Sequence, residues 1–332
     1  MQHSPFDVNN IDKFLPVNEY IGGIEHAILH LLYARFFVKA LKKIGMLQTS
    51  EPFERLITQG MICHKTFKNK LTNKFITPQE AKLLPSENVE IGDSIKMSKS
   101  KKNIVDPEDI VQTFGADTAR LFVLSDSPPD KDIDWSDEGI NGCNKFIKRL
   151  YNICISFKDT YKALLDSKFD INSIKSSNGF KIANKLLSEY LYAFDEVVLN
   201  KCVSKSRELF NLLQESNTNE EKFVIITYLL KMLNPIIPHV CEEIWLKIGH
   251  EISLSSQLLP SVDFALLNQD KITIAIQVNG KVRGTIEIDN NISQDEIEKQ
   301  AINIESVKKQ IENKTISKVI YIKNKVLNFI VQ

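Results

Sequence analysis

Residues 92–103 read Gly92-Asp93-Ser94-Ile95-Lys96-Met97-Ser98-Lys99-Ser100-Lys101-Lys102-Asn103, and the rest of the chain is organised around them. Gly, Asp and Ser predict a turn that presents two ammonium groups, Lys96 and Lys99, three residues apart. Lysines are flexible point charges that suit phosphate oxygens, and Ser98, Ser100 and the loop amides add donors. Most lysine clusters are only solvated basic faces. The remainder of the chain decides between the two readings.

The 332 residues suffice for two or three domains and a substantial core. Hydrophobic content is 43% and charged content 25%, ordinary for a globular protein. Lys plus Arg equals Asp plus Glu at 42 each, so overall charge announces no nucleic-acid partner, and any basic surface is local. Five cysteines at unpaired spacings read as reduced thiols, which points to the cytoplasm. Cys63-His64 is the only adjacent pair of zinc ligands and has no second pair to complete it, so no zinc is expected. No signal-peptide core and no run of 18 apolar residues occurs, so neither export nor a membrane is expected.

Upstream, Ile21-Gly22-Gly23 precedes a helical pattern that starts at Glu25 and carries apolar residues at Ile28, Leu31, Leu32, Phe36 and Leu41 until Gly45. Glycines before a helix N-terminus let a polar ligand approach free amides. His26 and His30 share one face at i, i+4, yet the HExxH pattern of a zinc site is absent. Residues 64–90 are polar and Lys-rich and predict a hairpin or loop excursion. Asp106-Pro107-Glu108-Asp109 is a helix start, with Asp106 as N-cap and Pro107 at the first position. A second helix follows Gly115, in which Asp117 and Arg120 read as structural ion-pair partners. Ser127-Pro128-Pro129-Asp130 breaks the chain. Long helical patterns then run to residue 234, and Asn234-Pro235 leads through Pro238-His239 to a last helix at Val240–Trp245, which together predict an antiparallel bundle. Trp135, Trp245 and His239 read as packing or structural residues. A Ser/Leu/Pro linker follows, then Lys271–Val278, the tight-turn signal Asn279-Gly280 and Lys281–Ile288. A helix opened by Ser293 and two short strands about Asn324 complete a ββαββ module.

Four of these stretches carry a resemblance. Lys96-Met97-Ser98-Lys99-Ser100 matches the signature loop of class I aminoacyl-tRNA synthetases, a string expected by chance in about one chain of this length in ten thousand, or a few times that given its Lys and Ser content. Tyr20 to Arg35, with Glu25-His26-Ala27-Ile28-Leu29-His30 at its centre, resembles the leucyl-tRNA synthetase form of the active-site helix. Val278-Asn279-Gly280-Lys281-Val282-Arg283-Gly284 resembles the C-terminal domain of bacterial leucyl-tRNA synthetases, and residues 234–245 resemble the closing helix pair of an anticodon-binding domain.

The resemblance implies a multidomain protein. It comprises the C-terminal half of a Rossmann-type α/β catalytic domain with the signature loop (1–126), an anticodon-binding-type α-helical bundle (127–252), a linker (253–269) and a small α+β domain that contacts tRNA (270–332). It implies leucine activation with ATP and Mg²⁺ and transfer to tRNA-Leu. Lys96 and Lys99 would be catalytic. Gly22, Gly23, Glu25, Gln59, Lys96, Met97, Ser98, Lys99 and Ser100 would bind ATP, with Glu25 also near the tRNA 3′ end. His26 and His30 would line the leucine pocket, and Lys281 and Arg283 would reach tRNA phosphates, which positions without specifying. The His-x-Gly-His motif of a complete class I site is absent, as is room for an editing domain. The chain is therefore expected to be a fragment, a truncated reading frame or the smaller subunit of a split enzyme, inactive alone in adenylation. The alternatives are a non-catalytic tRNA-binding module and, ranked lower, another nucleotidyl-transferring enzyme with the same loop.

Overall fold

The computed structural model describes residues 6–7, 10–267, 271–289, 292–312, 314–322 and 325–331. Contacts divide the chain into two compact units, Met1–Val262 and Asp263–Gln332.

After a 3₁₀ turn (Ile11–Lys13), the first unit runs through strand β1 (Val17–Gly23), a short 3₁₀ turn (Ile24–His26), one π-helical turn (Ala27–Leu31) and helix α1 (Leu32–Lys43). The sequence predicts one continuous helix from Glu25, but the structure winds its first seven residues tighter and then wider than α before settling. Strand β2 (Phe53–Gln59) pairs with β1 in parallel, aligning Gly23 with Gln59. The apolar stripe of this segment does not face a core. Ile28 is 75% exposed, Phe36 64% and Phe37 61%, while only Leu31 and Val38 are buried. Glu51 receives Arg35 Nε at 2.8 Å and Lys39 Nζ at 2.8 Å, tying α1 to the start of β2, and the Arg35 hydrogen bond leads in holding its pKa at about 2.

Strands β3 (Ile62–Asn69) and β4 (Lys74–Ile76), helix α2 (Pro78–Leu83) and strand β5 (Val89–Lys96) form the expected excursion. Thr77 and Glu80 close a capping box on α2, with Pro78 at its first position. Gly92-Asp93-Ser94 departs from the sequence reading. It is not a turn but part of β5, whose pairing with β3 runs from Cys63–Lys96 to Asn69–Val89 and shifts register at Gly92-Asp93, between the Lys65–Ser94 and Phe67–Ile91 pairs. Helices α3 (Pro107–Phe114) and α4 (Ala116–Asp126) follow, and Asp106 caps α3 by accepting from Glu108 N–H at 2.9 Å. Strand β6 (Ile133–Asp134) adds to β3 in parallel.

The rest of this unit is helical: α5 (Asp137–Ser156), α6 (Lys158–Asp166), α7 (Asn178–Asp195), α8 (Leu199–Glu215), α9 (Asn219–Leu233) and α10 (Pro238–Lys247). Leu150, Leu187, Leu209, Leu229, Leu230 and Ile244 are fully buried between them. Tyr190 donates its hydroxyl to the Met232 carbonyl at 2.6 Å, and Trp245 donates to the Ile252 carbonyl at 3.0 Å. Asp117 and Arg120 do not pair with each other; each bonds to the segment around α10. Asp117, buried, accepts from Val240 N–H and binds His239 Nδ1, both at 2.7 Å. Arg120 instead donates to the Pro235 and Ile236 carbonyls. All five cysteines are buried and unbridged.

In the second unit, β7 (Lys271–Val278) and β8 (Lys281–Asp289) make a hairpin whose turn residues Asn279 and Gly280 both have positive φ, as their type requires. Two short helices, α11 (Gln294–Ile302) and α12 (Glu305–Ile311), replace the single predicted one. Strands β9 (Ile316–Ile322) and β10 (Val326–Val331) complete a sheet of order β8-β7-β10-β9; Asn324 between them lies outside the described residues. Its core is Ile274, Ile276, Ile297, Val307, Leu327 and Phe329.

Candidate functional site

Two parallel strands ending side by side, and the end of β5, determine where the polar residues of the first unit collect. Gly23 ends β1, Gln59 ends β2 and Lys96 ends β5. With Glu25 and Met97 they line one cleft of about 350 Å³, closed by Met61, Leu124, Pro129, Val197 and Leu199. Two larger clefts, of about 470 and 580 Å³, collect none of the nine residues expected to bind nucleotide. Five of the nine residues expected to bind nucleotide thus share one cavity.

The glycines have specific work here. The Glu25 carboxylate folds back over Gly23, where a Cβ would lie 2.3 Å from Oε2. Gly60 packs against the 129–132 segment so closely that a Cβ would sit 2.2 Å from the Lys131 carbonyl oxygen. Gly60 N–H donates to the Pro129 carbonyl at 2.9 Å, and Met61 N–H donates to Asp132 Oδ1 at 2.7 Å. The floor of the cleft is thereby stitched to the segment before α5. Gly22, beside it, faces open space.

The signature stretch is held at both ends and exposed in the middle. Met97 N–H donates to the Ile62 carbonyl at 3.2 Å, continuing β5. Ser98 begins a 3₁₀ turn over Lys99–Lys101, and Lys102 closes it in a left-handed conformation, φ +52°. Asn103, fully buried, clasps the whole. Its Oδ1 accepts from Ser98 N–H at 2.9 Å, and its Nδ2 donates to the carbonyls of His64 at 3.0 Å and Ile95 at 3.1 Å. Lys101 lies over the Phe75 ring at 4.4 Å, and Lys102 is 3.5 Å from Glu80, so the far side leans on β4 and α2. Lys96 and Lys99 are exposed, and among the described residues neither ammonium is held in an ion pair. Two uncommitted cations, Lys96 at the end of β5 and Lys99 on the clasped turn, can close on an anionic ligand.

Ser98, Lys99 and Ser100 follow directly on the cleft but do not line it. His26 and His30 are exposed on the turns before α1, and His30 Nε2 meets the Tyr20 hydroxyl. Lys281, exposed, and Arg283, half-buried, sit on β8 in the second unit. Cys63 is buried, which pushes its thiol pKa up, and among the described residues no group of three His, Cys, Asp or Glu is arranged to hold a metal. Sequence reasoning assigned no role to Asn103, Arg55, Val197 or Leu199. Asn103 carried a signal, an asparagine closing a Lys/Ser turn; the others act across more than a hundred residues and carried none.

Residues 82–136 match the family "tRNA synthetases class I (I, L, M and V)", and residues 180–299 match "Anticodon-binding domain of tRNA ligase". The leucine–tRNA ligase of Wolbachia sp. subsp. Brugia malayi (strain TRS) is 40% identical over 355 residues, covering 99% of this chain and 41% of the relative. That of Ehrlichia canis (strain Jake) is 39% identical over 99% of the chain and 40% of the relative. The crystal structure of an Agrobacterium radiobacter K84 agnB2 LeuRS–tRNA–LeuAMS ternary complex superposes with a TM-score of 0.76 at 24% identity, over 99% of this chain and 39% of that one. That likeness establishes a class I synthetase fold with helical and sheet regions. The chain spans about two fifths of the length of the relatives it matches. Over 99% of its length the chain is similar to leucine–tRNA ligases, at about 40% identity.

Proposed function

We propose that the chain is the C-terminal portion of a leucine–tRNA ligase and that the cleft of Gly23, Glu25, Gln59, Lys96 and Met97 holds the nucleotide. The observation that carries this is the meeting of β1, β2 and β5 ends in one cavity beside two unpaired lysines. In the reaction, a leucine carboxylate oxygen attacks the α-phosphorus of ATP, the bond to the β-phosphate oxygen breaks, and pyrophosphate leaves. A terminal tRNA hydroxyl then takes the leucyl group and AMP departs. The first step spreads negative charge over the phosphates, so catalysis is positioning plus electrostatic stabilisation, with no protein nucleophile. Lys96, at the end of β5, meets the nucleotide within the cleft. Lys99, on the clasped turn, closes on the triphosphate as the step proceeds. Mg²⁺ would accompany the nucleotide as part of the substrate and supply further positive charge to the phosphates. His26 and His30 line the leucine side of the site, and Lys281 and Arg283 contact tRNA phosphates. The first 126 residues act as the second half of the catalytic domain, 127–252 as the anticodon-binding bundle and 270–332 as the tRNA-contacting domain.

The site is completed by polypeptide that covers α1 and the two-stranded sheet. Parallel sheets are stable when both faces are covered, and the faces here expose Ile21, Ile28, Leu56 and Phe36. Lys99→Ala in the completed enzyme slows ATP–pyrophosphate exchange by about a hundredfold, as loss of one transition-state charge contact does, with little change in leucine affinity. Equal losses in both remove Lys99 from the transition state. The chain alone gives no exchange, and exchange at a normal ligase rate by the isolated chain overturns the need for a covering segment. A second reading, a tRNA-binding module without catalysis, draws on the closed cores of the bundle and the second unit; tight tRNA binding by the chain, with no activity when the sheet is completed, would favour it.

A further inference from the structure

We infer that the turn between α7 and α8, in the helical bundle, is a built wall of the nucleotide cleft, with Val197 as its contact residue and Arg55 as the residue that positions it. This rests on the nucleotide reading above. Helix α7 ends in a Schellman arrangement: Val197 N–H donates to the Phe194 carbonyl at 3.0 Å and Val198 N–H to the Ala193 carbonyl at 2.8 Å. The left-handed position of that motif is normally glycine. Here it is Val197, at φ +58°, a β-branched residue in a region such residues rarely visit. Nothing in the capping pattern asks for valine. Its half-buried side chain lies on the cleft wall with Leu199, and strain held at a site wall is a mark of function.

Arg55 explains how the strain is held. It lies on β2, four residues before Gln59, and its guanidinium reaches the bundle. Nη1 donates to the Asp195 carbonyl at 3.0 Å and Nη2 to the Glu196 carbonyl at 3.1 Å, satisfying two carbonyls at the C-terminus of α7. Nη1 also meets Glu19 Oε1 on β1 at 3.1 Å. One side chain thus registers the α7 terminus against the two strands that deliver Gly23 and Gln59. The cleft then offers aliphatic surface from Met61, Leu124 and Val197 together with polar Gln59 and Lys96. That pairing fits a nucleoside, with the flat base against methyl groups and the phosphates toward the lysine.

The test joins the chain to the part of the Wolbachia ligase that its match does not span, and measures ATP–pyrophosphate exchange against ATP and against leucine. Val197→Gly is expected to raise KM for ATP about tenfold, the loss of one to two buried methyl contacts, with KM for leucine unchanged. Val197→Ile recovers most of that loss. Arg55→Lys, which keeps the charge but not the fork, raises KM for ATP severalfold in the same selective way. Thermal unfolding of the chain separates this from misfolding, because glycine carries the left-handed conformation without strain and Val197→Gly does not lower Tm. An active fusion whose KM for ATP is unmoved by both substitutions, or whose two KM values and kcat all shift together, overturns the wall and leaves the ligase reading standing. A folded fusion with no exchange at all overturns the ligase reading, and this inference with it.

Discussion

Gly60 and Gly22 look alike in the sequence, each a glycine close to a strand end, but a methyl group would meet different surroundings at each. At Gly60 it would overlap the Lys131 backbone, which cannot swing aside as a side-chain tip can; at Gly22 it meets nothing within 4 Å. Gly60→Ala is therefore expected to destabilise the chain by about 2 kcal/mol through forced backbone movement, and Gly22→Ala by well under half of that. Denaturant unfolding of the two variants checks the contrast. Asn103 is the second test at this scale. Asn103→Ala leaves Ser98 N–H and the His64 and Ile95 carbonyls without their partner, at a cost of about 2–3 kcal/mol. Amide exchange of Ser98 to Lys101 should quicken in that variant before the rest of the unit loosens. An asparagine closing a Lys/Ser turn is visible in the sequence, but only its bond to Ser98 is local; the His64 and Ile95 carbonyls belong to β3 and β5 and are set by how those strands pair.

Among the elements, those that the sequence announced are those whose causes are local. Asp106 caps α3 and Asn279-Gly280 turns β7 into β8 through atoms a few residues apart. Gly92–Ser94 has the composition of a turn and lies in a strand, because pairing with β3 on both sides holds it extended, the turn-prone residues surviving only as a shift of register. The helix at Glu25 is interrupted by a π turn for which no residue in the segment is a signal. Helix α10 shows a tertiary effect with a pH signature. Burial alone would raise the pKa of Glu242, but hydrogen bonds from Ser253 Oγ and the Leu254 and Ser255 amides outweigh it and hold it at about 2. Just after α10, burial lowers His250 to about 4, helped by nearby Lys231, with its ring stacked on Trp245 at 3.4 Å. Each group binds fewer protons folded than unfolded between its two pKa values, so each contributes stability above its unfolded value that is lost on acidification. Stability should fall first between pH 6.5 and 4 through His250, then between 4.5 and 2 through Glu242. Denaturant midpoints across this range test it: Glu242→Gln flattens only the lower segment.

Across the whole molecule, the composition is that of an ordinary globular protein, and no described helix is long and apolar enough to cross a membrane. The multidomain reading rests on periodicity and four short strings, and similarity to leucine–tRNA ligases covers 99% of the chain. What the sequence could not convey is which stripes meet a core. The stripe over Phe146, Leu150 and Cys154 packs inside the bundle, whereas that over Ile28, Leu32 and Phe36 has the same spacing and faces outward. Periodicity records that a face is apolar, not what lies against it.

That outward face also has a consequence for handling the protein. Phe36, Phe37, Leu29, Leu32, Ile28 and Tyr33 put a large contiguous oily surface on one end of a chain that carries no net charge to keep copies apart. In dilute buffer, purified alone, the chain should self-associate and precipitate near neutral pH, with sedimentation coefficients that rise with concentration. Phe36→Ser with Phe37→Ser should keep it dispersed without moving its melting temperature, since neither ring is buried. Colloidal behaviour, rather than folding, is then what limits the isolated chain.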